Sequence, residues 1–135
     1  MLKLIIGKKG SGKTKTLISM VDEALAMTKG DVVCIEKGDK LKFDIKYQCR
    51  LIDTNEYLIN DGQSLYGFIA GILASNHDVT DLFIDSALKI CGNDPESFEL
   101  FMKELETLLK NNPVNCTITS SLAVEDATET VKKYL

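Results

Sequence analysis

Residues 7–14, with the sequence GKKGSGKT, combine the residue types that bind a chain of phosphate groups. Glycines leave the loop open, so several backbone N–H groups can point at one anion. Lys13 adds a positive charge for the phosphate oxygens, and the Thr14 hydroxyl is a suitable ligand for Mg²⁺. The residues predicted to bind the phosphates are Gly7, Lys8, Lys9, Gly10, Ser11, Gly12, Lys13, Thr14 and Lys15.

The loop is flanked by patterns that would position it. Leu2 to Ile6 is a short apolar run, typical of a strand buried on both faces. After Lys13, apolar residues recur at helical spacing, which predicts a helix that ends near Thr28. The N–H groups and the positive dipole end of that helix would then face the phosphates.

Further apolar runs predict more buried strands, with polar residues at their ends. One runs from Val32 to about Glu36, "LFID" ends at Asp85, and "CTITSS" contains Ser120. An acidic residue at the end of a buried strand can hold Mg²⁺ through water, and we expect Asp85 to do so. Asp53, at the end of "RLID", is the rival, and a helix cap or a solvated strand end is the alternative role for either carboxylate.

Residues 40–53 have a different pattern. Phe43, Ile45 and Tyr47 alternate with polar residues, which is typical of a half-exposed strand. This alternation predicts an antiparallel excursion at one side of the sheet.

Three helices are predicted in the remainder. Residues 61–76 are apolar nearly all round, and Gly67 and Gly71 would let this helix approach the sheet closely. Asp94 as N-cap and Pro95 begin the next helix, and a last helix starts near residue 124. Alternating strands and helices predict an α/β fold with a mainly parallel sheet, which binds ligands at the carboxyl ends of its strands.

Composition narrows the class of protein. The 135 residues are 44% hydrophobic, which predicts a single domain spanning 1–135. A formal charge of -4 without a block of like charges gives no indication of nucleic-acid binding. No apolar run approaches the ~18 residues of a membrane span, and the scattered cysteines favour reduced thiols in the cytoplasm. The cysteines are Cys34, Cys49, Cys91 and Cys116.

The octet and the order of elements resemble the P-loop NTPases, in particular a truncated form of the RecA-type ATPases. The octet has the Walker A spacing and is the only specific motif. The resemblance implies a three-layer α/β/α fold in which the "CTITSS" strand lies between the first strand and the "LFID" strand. It implies that Ser120, or Thr119 beside it, lies near the γ-phosphate, whereas capping of the last helix is the alternative role for Ser120. It also implies that Glu36 orients the attacking water, the alternative being an exposed turn carboxylate.

The chain departs from that family in several ways. Ser86 follows Asp85, where many related ATPases have a glutamate, and Lys15 stands where many have a small hydroxyl residue. The fifth strand that the family usually has on the far side of the first strand is not predicted here. The first strand would therefore be an edge of the sheet, covered by the C-terminal helix or by another chain. A homo-oligomer or a protein partner over this edge is therefore expected. Arg50, the single arginine, is either a finger acting in trans or a surface residue.

The leading hypothesis is a protein that binds Mg-ATP and hydrolyses it slowly, coupled to an unknown partner. ATP is favoured over GTP because no NKxD-like motif is present. The alternative is a regulatory or scaffold module that binds the nucleotide without hydrolysing it. A small-molecule or nucleotide kinase is a third hypothesis, which the single arginine disfavours, since kinases usually surround the phosphoryl group with several.

Overall fold

A computed structural model describes residues 1–135, in which parallel strands and helices alternate along the chain. The strands are β1 (Leu2–Gly7), β2 (Asp31–Glu36), β3 (Arg50–Asp53), β4 (Val79–Ile84) and β5 (Asn115–Ser121). The α-helices are α1 (Lys13–Met27), α2 (Gly62–Ser75), α3 (Ala87–Ile90), α4 (Pro95–Asn111) and α5 (Glu129–Lys132). Short 3₁₀ turns occupy Thr54–Tyr57 and Val124–Asp126.

The five strands form one sheet in the order β1-β5-β4-β2-β3, and every pairing is parallel. The last strand in sequence therefore lies between β1 and β4, as the resemblance predicted. This order brings the carboxyl ends of β1, β5 and β4 side by side. Residues that follow these three strands are thus close in space although they are far apart in sequence.

The sheet separates two clusters of buried side chains. Successive residues of β2 belong to opposite clusters: Val33 and Ile35 to the larger, Val32 and Cys34 to the smaller. The larger cluster includes side chains of α2, α3 and α4, whereas the smaller one includes α1 and residues 41–49. The strand β1 is less buried than predicted, since only its Leu4 is fully buried.

The predicted antiparallel excursion at 40–53 is wrong. Residues 40–48 form turns, and only 50–53 form a strand, which pairs in parallel with β2. The buried residues of this segment are Leu41, Ile45 and Cys49, at a spacing of four instead of two. Residues 37–49 supply the dozen or so residues that a parallel connection requires.

Gly67 and Gly71 of α2 do not face the sheet, as the sequence had predicted they would. Gly67 and Gly71 are exposed, and a Cβ atom at either would meet no atom within 4 Å. The close approach is instead at Gly62, where a Cβ atom would lie 2.5 Å from the carbonyl oxygen of Ser97 in α4. The buried face of α2 consists of the positions on the other side of the helix, including Leu65 and Ile69.

The C-terminal segment is less helical than predicted. A 3₁₀ turn at Val124–Asp126 is followed by extended residues, and α5 begins only after Thr128, whose hydroxyl accepts from the Val131 N–H. As expected, β1 is an edge strand, and the Leu4 N–H donates to the carbonyl oxygen of Tyr134 at 2.8 Å. The end of this chain therefore covers part of the edge. No helix has the length and apolar character needed to cross a membrane.

Candidate functional site

The glycine-rich loop connects β1 to α1, as predicted. Gly10 and Gly12 have φ angles of 86° and 88°, a left-handed conformation that residues with a side chain adopt at a cost. Gly12 is the N-cap of α1, and no side chain caps the first turn of the helix, which also has no acidic residue. The N–H groups of this turn are therefore suitably arranged to bind an anion.

Side chains of the loop hold it in a compact shape. The Lys13 Nζ donates to the carbonyl oxygen of Lys8 at 3.0 Å and to the Ser11 Oγ at 3.4 Å. A Cβ atom at Gly7 would lie only 2.6 Å from the Ser11 Oγ, so a side chain at position 7 would displace Ser11. The ammonium group of Lys13 is thus directed back over the loop.

A hydrogen-bonded set of side chains joins the loop to the carboxyl ends of β4 and β5. The Thr14 Oγ1 donates to Asp85 Oδ1 at 3.3 Å, and the Thr119 Oγ1 donates to the same oxygen at 2.8 Å. The Thr119 hydroxyl in turn accepts from the Ser86 N–H at 2.9 Å. Ser86 itself has a φ of 58°, which turns the chain sharply after Asp85. Three elements distant in sequence therefore converge on one carboxylate.

The donor set at this point suits Mg²⁺. Hydroxyl and carboxylate oxygens are ligands that Mg²⁺ prefers, and Thr14 and Asp85 provide one of each. No group of three or more His, Cys, Asp or Glu side chains is arranged to hold a metal. Mg²⁺ at this position would therefore need oxygens of a bound phosphate and water to complete its coordination.

Thr119 and Ser120 face opposite sides of the sheet. Neighbouring residues of a strand alternate in direction, so Thr119 contacts Asp85, whereas the Ser120 Oγ accepts from the Leu88 N–H at 3.2 Å. Ser120 is completely buried and lies against α3, not against the last helix. Of the two residues predicted to lie near the γ-phosphate, only Thr119 belongs to the set around Asp85.

Glu36 ends β2 beside Asp85 and is only 2% exposed. Its two carboxylate oxygens accept from the backbone N–H groups of Lys40 and Leu41, each at 3.1 Å. Burial raises the pKa of Glu36, the two backbone hydrogen bonds act in the opposite direction, and the charges of Asp85 and Asp53 raise it further. Glu36 therefore lies at the site, but both of its oxygens are engaged by the following loop.

The remaining candidates have structural roles or lie elsewhere. The Asp53 Oδ1 accepts from the N–H groups of Gly38 and Asn55, at 2.7 and 2.9 Å, so this carboxylate caps a 3₁₀ turn. Arg50 is the first residue of β3, so it does not lie at the carboxyl end of the strand, where the other candidates are found. Its side chain is exposed and donates to the carbonyl oxygen of Leu51. These contacts favour Asp85 over Asp53, and they leave Arg50 outside the set around Asp85.

Two features of the site escaped prediction. One is that the Thr119 hydroxyl both donates to Asp85 and accepts from the Ser86 N–H. The alternation of side chains within β5 would indicate this role once it is known on which side of the sheet Asp85 lies. The other is the capture of Glu36 by the loop that follows it, for which the sequence has no specific signal. No protein-family model and no curated protein sequence matches this chain.

Proposed function

We propose that this protein is a P-loop nucleoside triphosphatase that binds Mg-ATP at residues 7–15 and hydrolyses it slowly. The observation that carries the proposal is the contact between Thr14 and Asp85, which joins the glycine-rich loop to the end of the strand two positions away in the sheet. The strand order supports a three-layer α/β/α P-loop fold of the RecA type, in a truncated form. An alternative such as a chance glycine-rich turn accounts for neither feature.

In this proposal each residue of the loop has a distinct task. The N–H groups of the loop and of the first turn of α1 bind the β- and γ-phosphates, and Lys13 neutralises their charge. Thr14 and Asp85 hold Mg²⁺, which supplies charge neutralisation on the phosphate oxygens. Thr119 keeps the Asp85 carboxylate oriented, and it also replaces Ser120 as the polar residue next to this centre.

Hydrolysis further requires a group that orients water, and we assign that task to Glu36. Its carboxylate first has to leave at least one of the N–H groups of Lys40 and Leu41, because both oxygens are occupied. This requirement is consistent with slow turnover in the absence of a partner. It equally favours the second candidate function, a nucleotide-binding regulatory module in which Glu36 stays with its loop and no hydrolysis occurs.

The test is to measure Mg-ATP binding by calorimetry and ATP hydrolysis at steady state for the wild type and for Lys13→Ala. A suitable control is Lys103→Ala, which removes an exposed lysine from α4. We expect the wild type and the control to bind and hydrolyse ATP, and Lys13→Ala to do neither. Binding without hydrolysis would select the regulatory module, and absence of binding in the wild type would refute the proposal.

A further inference from the structure

Residues 40–50, here called the Lys-aromatic segment, have an unusual four-residue pattern. Every fourth residue is apolar and buried against α1, and each of these residues is followed directly by a basic one. The buried residues are Leu41, Ile45 and Cys49, which belong to one cluster with Leu17 and Val21, and the basic ones are Lys42, Lys46 and Arg50. The anchors fix the path of the backbone, so the side chains between them extend into solvent.

Two aromatic rings lie between these anchors. Phe43 is 89% exposed and Tyr47 is 92% exposed, more than any other large hydrophobic residue of the chain. Each ring follows a lysine directly and lies four residues from the other ring. Neither packs against the core, so the fold does not account for their presence. Paired cationic and aromatic side chains at a regular spacing are instead typical of a binding surface.

The charge of the segment differs from that of the protein. Residues 40–50 contain four basic residues and one acidic residue, whereas the whole chain has 16 basic and 20 acidic. Two of the lysines contact carboxylates, Lys42 with Asp39 at 3.7 Å and Lys46 with Asp22 at 3.9 Å. The pair of Lys42 with Asp39 joins two exposed side chains and contributes little energy, so a phosphate group can replace it readily. The contact of Lys46 with the half-buried Asp22 is too long for a hydrogen bond, so the Lys46 ammonium group is also available to a phosphate.

We infer that the Lys-aromatic segment binds single-stranded nucleic acid, with bases stacked on Phe43 and Tyr47 and backbone phosphates bound by the adjacent lysines. A single strand uses both kinds of side chain, because unpaired bases expose faces for stacking and the phosphates carry negative charge. The net charge gave no indication of such binding because it averages over the molecule. The proposed role of the Lys-aromatic segment therefore departs from the expectation based on net charge.

Two other partners fit the surface less well. An anionic membrane would draw Phe43 into an apolar layer and bring the neighbouring Asp44 carboxylate with it, which is costly. An acidic peptide would engage the lysines but would leave two exposed rings without a role. Stacking of bases needs only one face of each ring, and Asp44 can remain in water.

The experiment measures fluorescence anisotropy of labelled single-stranded oligo-dT and oligo-U across a range of salt concentrations. We expect Phe43→Ala and Tyr47→Ala each to weaken binding at least about fivefold, since one stacked base contributes ~1–3 kcal/mol. Leu58→Ala is the control, because Leu58 is also highly exposed but lies outside the segment. The double variant Lys42→Gln/Lys46→Gln should lower the slope of log affinity against log salt by about 1.4. Lys103→Gln/Lys110→Gln, on α4, should leave that slope unchanged.

The outcomes separate this inference from the proposed nucleotide site. Binding of oligo-dT and oligo-U to similar extents indicates a general single-strand surface, and preference for oligo-U indicates RNA. Lys13→Ala should keep strand binding, and the aromatic variants should keep both Mg-ATP binding and the wild-type circular dichroism spectrum. The inference is overturned if neither strand binds at low salt or if the aromatic variants bind as tightly as the wild type. Vesicles containing phosphatidylserine that bind through the same residues, with no binding of the strands, would identify a membrane surface instead.

Discussion

Replacement of Glu36 by glutamine tests how this buried carboxylate holds its loop. The wild-type carboxylate accepts two backbone hydrogen bonds, from Lys40 and Leu41, each at 3.1 Å. Glutamine keeps one acceptor oxygen but places an NH₂ donor where the second N–H group donates. One charged hydrogen bond is then lost and a backbone N–H group is left without a partner.

The size of the effect follows from these contacts. A hydrogen bond to a charged group contributes about 1.5–3 kcal/mol, and an unpaired buried donor costs about 1–3 kcal/mol. A neutral amide is less costly to bury than a carboxylate, so part of this loss is offset. We expect Glu36→Gln to lower the free energy of unfolding by about 1–2 kcal/mol at neutral pH, a net value within the range of those opposing effects. Urea denaturation measures this difference, and the exposed Glu23→Gln is the matched control.

The dependence on pH has a definite sign. Because burial raises the pKa of Glu36 above its ordinary value of 4.5, the folded state holds this proton to a higher pH than the unfolded chain does. As the pH rises from about 4.5 through the raised pKa, the unfolded chain releases the proton first, so this group makes the wild type less stable over that interval. The stability advantage of the wild type over Glu36→Gln should therefore narrow as the pH rises. An advantage that widens would show that the two backbone hydrogen bonds outweigh burial and lower the pKa of Glu36.

The same variant also tests the catalytic assignment. If Glu36 orients water, Glu36→Gln binds Mg-ATP normally but loses turnover, whereas a role restricted to the loop leaves turnover unchanged. A variant as stable as the wild type at neutral pH would refute the reasoning about the two backbone hydrogen bonds, whatever its activity.

Further predictions concern the polar set around Asp85 and the glycines. Thr119→Val removes the hydroxyl that donates to Asp85 and accepts from Ser86, so the free energy of unfolding should fall by about 1–3 kcal/mol, and a change below about 0.5 kcal/mol in urea denaturation would contradict that role. Gly12→Ala places a side chain at a φ of 88°, which should destabilise the protein by about 1–2 kcal/mol and weaken Mg-ATP binding in calorimetry. Gly67→Ala is the converse case, because Gly67 lies in α2 and a Cβ atom there meets no atom within 4 Å. Gly67→Ala should raise the free energy of unfolding by about 0.5–1 kcal/mol, and a decrease would show that this face of α2 has no room for a side chain.

Much of the fold was predictable from local patterns. The apolar run before the octet and the helical spacing after it placed the loop between β1 and α1, because these periodicities depend on residues near in sequence. Asp94 and Pro95 likewise marked the start of α4, where the Asp94 carboxylate accepts from the Glu96 N–H. Such signals need no knowledge of the rest of the chain.

The segment 40–53 shows where local patterns fail. Its sequence matches both an alternation of two and a repeat of four, and only packing against α1 decides between them. Once Leu41, Ile45 and Cys49 are buried, Phe43 and Tyr47 must face solvent. The glycines of α2 present the same difficulty, since an apolar helix does not reveal which side faces the core.

The sequence alone determined the chemistry of the glycine-rich loop, because the spacing of glycines, Lys13 and Thr14 is a local property of the chain. Only the tertiary structure decided which side chains from other parts of the chain lie beside this loop. The insertion of β5 beside β4 brings Thr119 to Asp85 and turns Ser120 to the other face, since a shift of one residue in a strand reverses the direction of a side chain. The resemblance to RecA-type ATPases predicts a water-orienting role for Glu36 from its position at the end of β2, but its engagement by the Lys40 and Leu41 N–H groups depends on how the following loop folds back over it.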